Sequence, residues 1–483
     1  MSKRHSLWAL VVLPLALTAA WGQETSAQQP ADSAQSTPQQ PVPAYGPDNT
    51  LPSISENPPI SGLDLPNLEP HGAPLSYLQA GAHFSETVSS NLENTLGGAQ
   101  LGSITNLAGS VDLERLWSNY DLSLAYLGGV GYYNVSGVGL KQIEELGLNQ
   151  KITWKRGEFG VRDAFSYQPE GTFGSAYGST ATLGAGLGGQ GAFFGGTGLG
   201  ALGQVPRIMN LSLANVVENL TPKSSVTGTV GYGFVHFLSN EFLTGTSFIG
   251  NRQITAQVGY NRVLTPHNQG ALVYGYQGFS FSTGTKFNSH VIQAMWGHRI
   301  SGRMDFLVGG GPQFTQINGS LRLTAAGRGL LRYRFPKVSL EMSYDHYITS
   351  GSGFFAGAES DIARLTATRS LGRVWTAYTD IGYSRNSRVA PLTAAQTLMC
   401  IPSPTNPNPV CPGVAANVYQ YGFAGAGVRR NFGRNFKIFA SYQFNGLAFD
   451  TSFCGAASLC SRISQRHIGS FGLDWTPRPM RLD

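Results

Sequence analysis

Residues 321–345 read LRLTAAGRGLLRYRFPKVSLEMSYD. In the first half of this stretch, small or apolar residues occupy every second position and arginines fall between them. A period of two places the two sets on opposite faces of a β-strand. Pro336-Lys337 forms a two-residue turn, and the strand that follows it carries acidic residues on the arginine face. Simple hairpin register predicts two opposed pairs, Arg332 with Glu341 and Arg328 with Asp345.

The same alternation recurs from Tyr77 onward, for example in QITAQVGY at 253–260 and FKIFASYQFN at 436–445. Only 12% of residues are charged, about half the usual share. Outside the N-terminus no apolar run reaches the roughly 18 residues of a transmembrane helix, which excludes a helical membrane protein. Low charge and alternation fit a wall whose residues face lipid and water in turn.

The connections between these segments alternate between short and generally longer ones. Eight are short: Ser118-Asn119, Arg156-Gly157, Thr221 to Ser224, Thr265 to Gln269, Ser301 to Arg303, Pro336-Lys337, Gly372-Arg373 and Gly433 to Asn435. Nine longer ones lie near 88–102, 135–141, 171–206, 238–250, 283–288, 318–320, 350–360, 389–417 and 450–465. Outer-membrane barrels have short periplasmic turns and long outer loops. We therefore predict an all-β fold, a transmembrane antiparallel β-barrel of about 18 strands with both ends in the periplasm.

Aromatic residues flank several of the short turns, as they do at membrane–water boundaries. They include Trp117 with Tyr120, Trp154 with Phe159, Trp375, and Phe432 with Phe436. A soluble β-sandwich also has hairpins with aromatic residues. It would rarely sustain eighteen strands with so few charges.

The four arginines of the opening hairpin must face the barrel lumen, because each would cost roughly 2–4 kcal/mol at the lipid midplane. Two interpretations stay open for Arg322, Arg328, Arg332 and Arg334. They either brace the wall through pairs with Glu341 and Asp345, or form a stripe that guides solutes. Arg322 and Arg334 have no obvious acidic partner in the simple register.

A second set of charged residues shares one face of two earlier strands. Glu145 and Lys151 lie on the polar face of Ile143–Trp154, and Arg162 lies on the next strand. The same two interpretations apply to these lumen candidates. Asp163 falls on the face assigned to lipid, which predicts a β-bulge or a different register there.

The N-terminus predicts export. Residues 1–22 have the basic start, the apolar stretch Leu7 to Leu17 and the small residues of a signal peptide, with cleavage before Gln23. Residues 23–75 are rich in Gln, Pro, Ser and Ala and predict a disordered periplasmic segment, either a tether or a passive leader. Residues 76–483 form the predicted barrel. The glycine-rich loop 171–206 is either a constriction in the mouth or a mobile surface loop.

Four cysteines follow in the C-terminal part: Cys400, Cys411, Cys454 and Cys460. An even number in an oxidising compartment suggests disulfides, with three possible connectivities. The pairs Cys400–Cys411 and Cys454–Cys460 are favoured because each lies within one predicted loop. Nothing in the spacing supports zinc.

Chemistry-bearing motifs are scarce. The nine histidines have no metal-ligand spacing, and no G-x-S-x-G elbow occurs. We expect no cofactor, no metal and no catalytic residue, although a Ser–His pair could still assemble from distant strands. The net charge of +6 forms no basic block, so nucleic-acid binding is not expected.

The chain resembles the large outer-membrane β-barrel proteins of acidobacteria, a porin-like and uncharacterised family. The resemblance covers roughly 77–483 and lies in four stretches: LNQKITWKRGEFGVRDAFSYQPEGTFG at 148–174, GYNRVLTPHNQGALVYGY at 259–276, SGSGFFAGAESD at 350–361, and the final RHIGSFGLDWTPRPMRLD. It implies a barrel in the outer membrane that serves solute passage or polysaccharide export. It implies no catalytic residues.

The sequence thus predicts a pore for small hydrophilic solutes in the outer membrane of a Gram-negative cell. Its expected partners are outer-membrane lipid, the barrel-assembly machinery and the solutes. Alternatives are a barrel component of envelope polysaccharide export, a structural barrel, and, least favoured, a barrel hydrolase.

Overall fold

The computed structural model describes residues 59–61, 76–92, 100–134, 139–168, 206–238, 248–317, 319–351, 353–389, 416–454 and 461–482. All of them belong to one compact unit, Ala44–Asp483. The predicted signal peptide, most of segment 23–75 and nearly all of loop 171–206 lie outside the described residues.

The described chain is built of β-strands. They are β1 Tyr77–Ser89, β2 Gly102–Leu116, β3 Tyr120–Tyr133, β4 Gly139–Trp154, β5 Gly157–Gln168, β6 Arg207–Thr221, β7 Ser224–Phe237, β8 Asn251–Thr265, β9 Asn268–Phe281, β10 Lys286–Ser301, β11 Met304–Ile317, β12 Ser320–Arg334, β13 Val338–Thr349, β14 Ala358–Ser370, β15 Trp375–Arg388, β16 Val418–Phe432, β17 Phe436–Phe449, β18 Ile463–Trp475 and the two-residue β19 Met480–Arg481. A short 3₁₀ helix, Thr451–Cys454, follows β17. Among the described residues, no helix has the length and hydropathy needed to cross a membrane.

The strands close into a ring. Each strand pairs antiparallel with the next one along the chain, and β1 pairs with β18 from Ala82↔Trp475 to Ser89↔Ile468. The short β19 continues this edge by pairing with Tyr77 and Leu78. The predicted barrel of eighteen strands is therefore confirmed.

The two ends of the barrel differ in their connections. At the end that we call the turn end, strands meet through tight turns such as Lys155-Arg156 between β4 and β5. Gly372 and Gly433 have φ values of +98° and +61° in two of these turns, a backbone conformation that glycine adopts without strain. The other end, the loop end, carries the generally longer connections.

Side chains alternate between the two faces of the wall. In β8, Asn251, Gln253 and Thr255 are buried, whereas Ile254 and Val258 are 53% and 57% exposed. A sheet with polar residues buried and apolar residues exposed inverts the usual soluble pattern. The buried polar face is the lumen, and the apolar face is the outer surface.

The register of the opening hairpin is as the two-residue turn predicts, with Arg328 opposite Asp345 and Arg332 opposite Glu341. The irregularity expected at Asp163 is absent, because β5 pairs with β4 and β6 without a register shift. Asp163 lies on the outer face and accepts hydrogen bonds from Asn210 Nδ2 and Ser212 Oγ. Polar neighbours satisfy this carboxylate, so no bulge is needed.

Candidate functional site

Exposed aromatic side chains ring the outer face at two levels. The first level lies at the turn end, and the second lies six to eight residues along six of the strands that start there. With a rise of about 3.3 Å per residue and a tilt of about 40°, six to eight residues advance roughly 15–20 Å along the barrel axis. Both levels therefore fit within the roughly 25 Å apolar band of outer-membrane barrels. The first level comprises Trp117, Trp154, Phe335, Trp375, Phe432, Phe436 and Trp475, and the second Tyr126, Tyr232, Tyr274, Tyr344, Tyr383 and Tyr442.

Two tyrosines of the second level place their hydroxyls beside histidines. The hydroxyl of Tyr274 lies 2.8 Å from Nδ1 of His290, and that of Tyr442 lies 2.7 Å from Nδ1 of His467. Tyrosine at a membrane interface keeps its ring in the apolar layer and its hydroxyl among polar groups. Between the levels, Leu272 is 59% exposed. The fold and this belt define the class of the protein: a membrane-spanning β-barrel of porin size.

The lumen wall carries a charged strip on β11 to β15, which we define as Asp305, Arg328, Arg332, Arg334, Glu341, Asp345, Arg364 and Asp380. Nε of Arg332 donates to Oδ2 of Asp305 at 2.9 Å. Nε of Arg328 lies 3.5 Å from Oδ1 of Asp345. The pairs link three neighbouring strands, so the charges alternate along the wall.

The pair Arg364 and Asp380 has the most specific geometry in the strip. Nε and Nη2 of Arg364 donate to the two carboxylate oxygens of Asp380 at 3.0 and 2.7 Å. This two-point contact is the strongest form of an arginine–carboxylate interaction. Asp380 is only 8% exposed, so its charge depends on this partner.

Arg322 and Arg334, which have no acidic partner in the predicted register, have different surroundings in the structure. Arg322 forms an ion pair with Glu359 of β14. The simple register misses it because the pairing of β12 with β13 stops at Gly327↔His346, beyond which β12 is paired only with β11. Arg334 lies at the turn end, and its Nε and Nη2 atoms are buried without a hydrogen-bond partner among the described residues.

The second predicted set also lies on the lumen wall. Glu145 is 2% exposed. Lys151 Nζ lies 3.3 Å from Oε2 of Glu158, and Arg162 stands opposite Asn149 in the β4–β5 pairing. The structure does not bring this set into the charged strip, because β4 and β5 lie six or more strands away from it around the ring.

Sequence reasoning missed a hydrogen-bonded chain of three side chains across β18, β1 and β2. Oδ1 of Asp474 lies 3.1 Å from Nδ1 of His83, and Nε2 of His83 lies 2.8 Å from Oγ of Ser110. Asp474 is 1% exposed. The order carboxylate, imidazole and hydroxyl is that of a nucleophile with its base and orienting group. The β1–β2 ladder places Ser110 beside His83, but only the closure of β1 on β18 brings Asp474 to His83, and that contact has no local sequence signal.

Five aromatic rings cross the lumen near the loop end, and we call them the aromatic bridge: Phe237, Phe248, Phe354, Tyr419 and Phe449. Ring centroids lie 5.2 Å apart for Phe237–Phe248, 6.0 Å for Phe248–Phe354 and 5.1 Å for Phe354–Tyr419. Phe354 also lies 5.4 Å from Phe449. β7 and β16 stand nine strands apart in either direction around the ring, so the bridge joins opposite walls.

The connection between β13 and β14 supplies the centre of the bridge. Its backbone is fixed by a hydrogen bond from Ile249 N to Gly353 O at 2.9 Å, and Gly353 has a φ of +86°. The Arg388 guanidinium covers the ring of Phe355 at 4.6 Å and donates to the Ala416 carbonyl. This loop therefore folds inward and is packed against the wall.

Several expectations fall outside the described residues. Cys400, Cys411 and Cys460 lie outside them, and of Cys454 only the backbone is described, so both disulfides stay predictions that fragment masses of the unreduced protein would check. Within the described ranges, no three His, Cys, Asp or Glu side chains are grouped so that they could hold a metal ion.

Comparison with known proteins gives a distant likeness only. No family model matches the sequence, and no curated protein matches it. The solved structures that match include Pseudomonas aeruginosa OccK2 (OpdF), with 8% identity, a TM-score of 0.39 and coverage of 83% of this chain and 97% of that one. Others are P. aeruginosa OccK5 (OpdH) at 11% identity and Acinetobacter baumannii OccAB2 at 8%, each with a TM-score of 0.40, 84% of this chain and 98% of that one. Scores this low carry no conclusion about solutes or sites.

Proposed function

We propose that this protein is an outer-membrane channel for small hydrophilic solutes. The observation that supports it is the opposite character of the two faces: an apolar belt outside and a charged strip inside one closed ring. An eighteen-strand circumference has room for an aqueous passage as well as inward side chains.

The turn end faces the periplasm in this proposal. Barrels of the outer membrane have short periplasmic turns and longer outer loops, and this barrel has the same asymmetry. The predicted signal peptide agrees with export to that membrane. We further propose that the chain belongs to the acidobacterial porin-like family that its sequence motifs resemble.

The charged strip suggests how solutes are selected. Arg328, Arg332 and Arg364 have acidic partners, so their charges largely cancel at a distance and brace the wall. Arg334 at the turn end makes no ion pair in the described part of the chain, and Asp305 and Glu341 act on its charge only from a greater distance. We propose that this end of the strip attracts anionic groups of passing solutes.

The deciding experiment is planar-bilayer recording on the purified, folded barrel. We expect stepwise conductance and, from a salt gradient, a reversal potential that reports the preferred ion sign. A folded barrel that gives no conductance at any voltage would refute the channel. It would leave the structural barrel or polysaccharide export, and the latter predicts loss of surface polymer on deletion.

One observation supports a second candidate function, a hydrolase inside the lumen. In the chain Asp474–His83–Ser110, Ser110 Oγ could attack an ester carbonyl while His83 takes its proton and returns it to the leaving alcohol. A fluorophosphonate ester probe tests this. If Ser110→Ala abolishes labelling and the neighbouring lumen variant Ser85→Ala keeps it, Ser110 is an activated nucleophile. Absent labelling of the native protein would exclude the hydrolase.

A further inference from the structure

Part of the N-terminal segment lies inside the barrel. Ile60 and Ser61 contact the lumen wall on β7 to β12, near the turn end. Composition alone assigns these residues to a disordered segment. Their position was not predicted from the sequence.

Ser61 is held through all its polar groups. Its backbone N donates to Oδ1 of Asn261 at 2.9 Å, and its carbonyl accepts from Nε2 of Gln257. Its hydroxyl accepts from Nδ2 of Asn261 and lies against Oγ1 of Thr227. Ser61 is 1% exposed, and a buried polar group is stable only when it is paired in this way.

Ile60 occupies an apolar patch of the same wall. Met295, Leu307 and Leu330 form a buried cluster with Val273, and the Ile60 side chain packs against it. Apolar residues on the water side of a channel wall are unfavourable unless something covers them. The patch is therefore matched to the side chain of Ile60.

Two glycines make the space for these residues. A Cβ atom on Gly259 would lie 2.3 Å from Cβ of Ser61, and one on Gly297 would lie 3.3 Å from Cγ2 of Ile60. A side chain at position 259 could not coexist with the segment as it is placed. The wall thus has a fitted recess, polar on β7 and β8 and apolar on β9 to β12.

We propose that this recess is a binding site for the chain's own Ile60-Ser61, which keeps the N-terminal segment inside the lumen and narrows the passage. The binding of Ile60-Ser61 in the recess does not depend on the channel function. Only the expected effect on conductance rests on that proposed function. The recess would accept a short peptide with a β-branched apolar residue followed by serine, and release of the segment would widen the turn end.

A disulfide tests the position directly. The double variant Ser61→Cys with Thr227→Cys should form a link in the full-length barrel, because the two hydroxyls are in contact. Mass spectrometry of proteolytic fragments identifies the link even with the native cysteines present. The matched control pairs Ser61→Cys with Ser441→Cys, which lies on the opposite lumen wall on β17. Equal linking to both walls would overturn the proposal.

Gly259→Ala tests the consequence without changing the segment. In the native chain the added Cβ would also lie 2.9 Å from Thr227 Oγ1, and rotation of the side chain at position 227, whether threonine or cysteine, relieves that contact. When Gly259→Ala is added to the double-cysteine variant, we expect the rate of disulfide formation between positions 61 and 227 to fall about tenfold or more, the ratio implied by overpacking at one site. Single-channel conductance should rise. Gly275→Ala is the control, because it lies on the lumen face of β9 with nothing within 4 Å of its Cβ.

A second variant covers the case in which Gly259→Ala fails to fold. Ile60 lies outside the strands, so Ile60→Asn leaves the wall unchanged. Like Gly259→Ala, it should slow disulfide formation between positions 61 and 227 and raise the single-channel conductance. If both variants conduct like Gly275→Ala, the segment does not narrow the passage. If no variant conducts but the Ser61→Cys/Thr227→Cys link forms selectively, the recess stands and the channel function fails.

Discussion

Replacing Phe354 by alanine should release the aromatic bridge. Phe354 is 7% exposed and has ring contacts with Phe248, Tyr419 and Phe449. Truncation of a buried phenylalanine costs about 3–5 kcal/mol. Because Phe354 lies in a loop and not in a strand, this cost falls on the packing of the loop and leaves the strand ladder intact. At about 1.4 kcal/mol per factor of ten, the ratio of packed to released loop falls by roughly two orders of magnitude or more.

The assay for this variant is single-channel recording combined with limited chymotrypsin digestion. We expect larger conductance steps, and new cleavage after Phe355, which the packed loop shields. The temperature of barrel unfolding on a heat-modifiability gel should change little. The control is Phe335→Ala, which removes the same atoms from the outer face, where Phe335 is 50% exposed. New cleavage after Phe355 with unchanged conductance would refute the idea that the bridge restricts passage.

Two predictions concern the inward arginines. Arg334→Glu should move the reversal potential in a potassium chloride gradient towards cation preference, and unchanged selectivity would contradict the solute-guiding role. The same change at Arg322 should mainly reduce the heat resistance of the barrel, because Arg322 is paired with Glu359. Arg364→Met should cost about 3–5 kcal/mol, since it leaves the buried Asp380 carboxylate without its partner. The temperature of barrel unfolding on the heat-modifiability gel should fall for Arg364→Met and largely recover when Asp380→Leu is added. If it does not recover, packing rather than charge stabilises this part of the wall.

Much of the wall could be predicted from the sequence because a barrel is built from local patterns. Alternation with a period of two fixes the faces, and a two-residue turn fixes the register of the strands that it joins. For this reason Arg328 and Arg332 have the partners in the ladder that their hairpin predicts. Asp163 is the exception on the outer face, where polar neighbours on β6 and not a bulge accommodate the charge.

The contents of the lumen could not be predicted in the same way. Arg322 can meet Glu359 because β13 stops pairing with β12 at His346, before β13 itself ends at Thr349, and the point where that pairing stops depends on packing at the loop end. The aromatic bridge joins residues of strands nine places apart, and Ser61 binds Asn261 two hundred positions away. Such contacts depend on the closed barrel as a whole, and no period in the sequence indicates them.

The aromatic bridge and the seated Ile60-Ser61 lie at opposite ends of one passage, so they act as resistances in series. Phe237 is the last residue of β7, at the loop end, whereas Thr227, which contacts Ser61, lies three residues after the first residue of the same strand. When two constrictions are in series, removal of either one leaves the other in control of the current. The double variant Phe354→Ala/Gly259→Ala should therefore gain more conductance than the two single gains combined. A gain no larger than that of one single variant would show that one constriction alone sets the current.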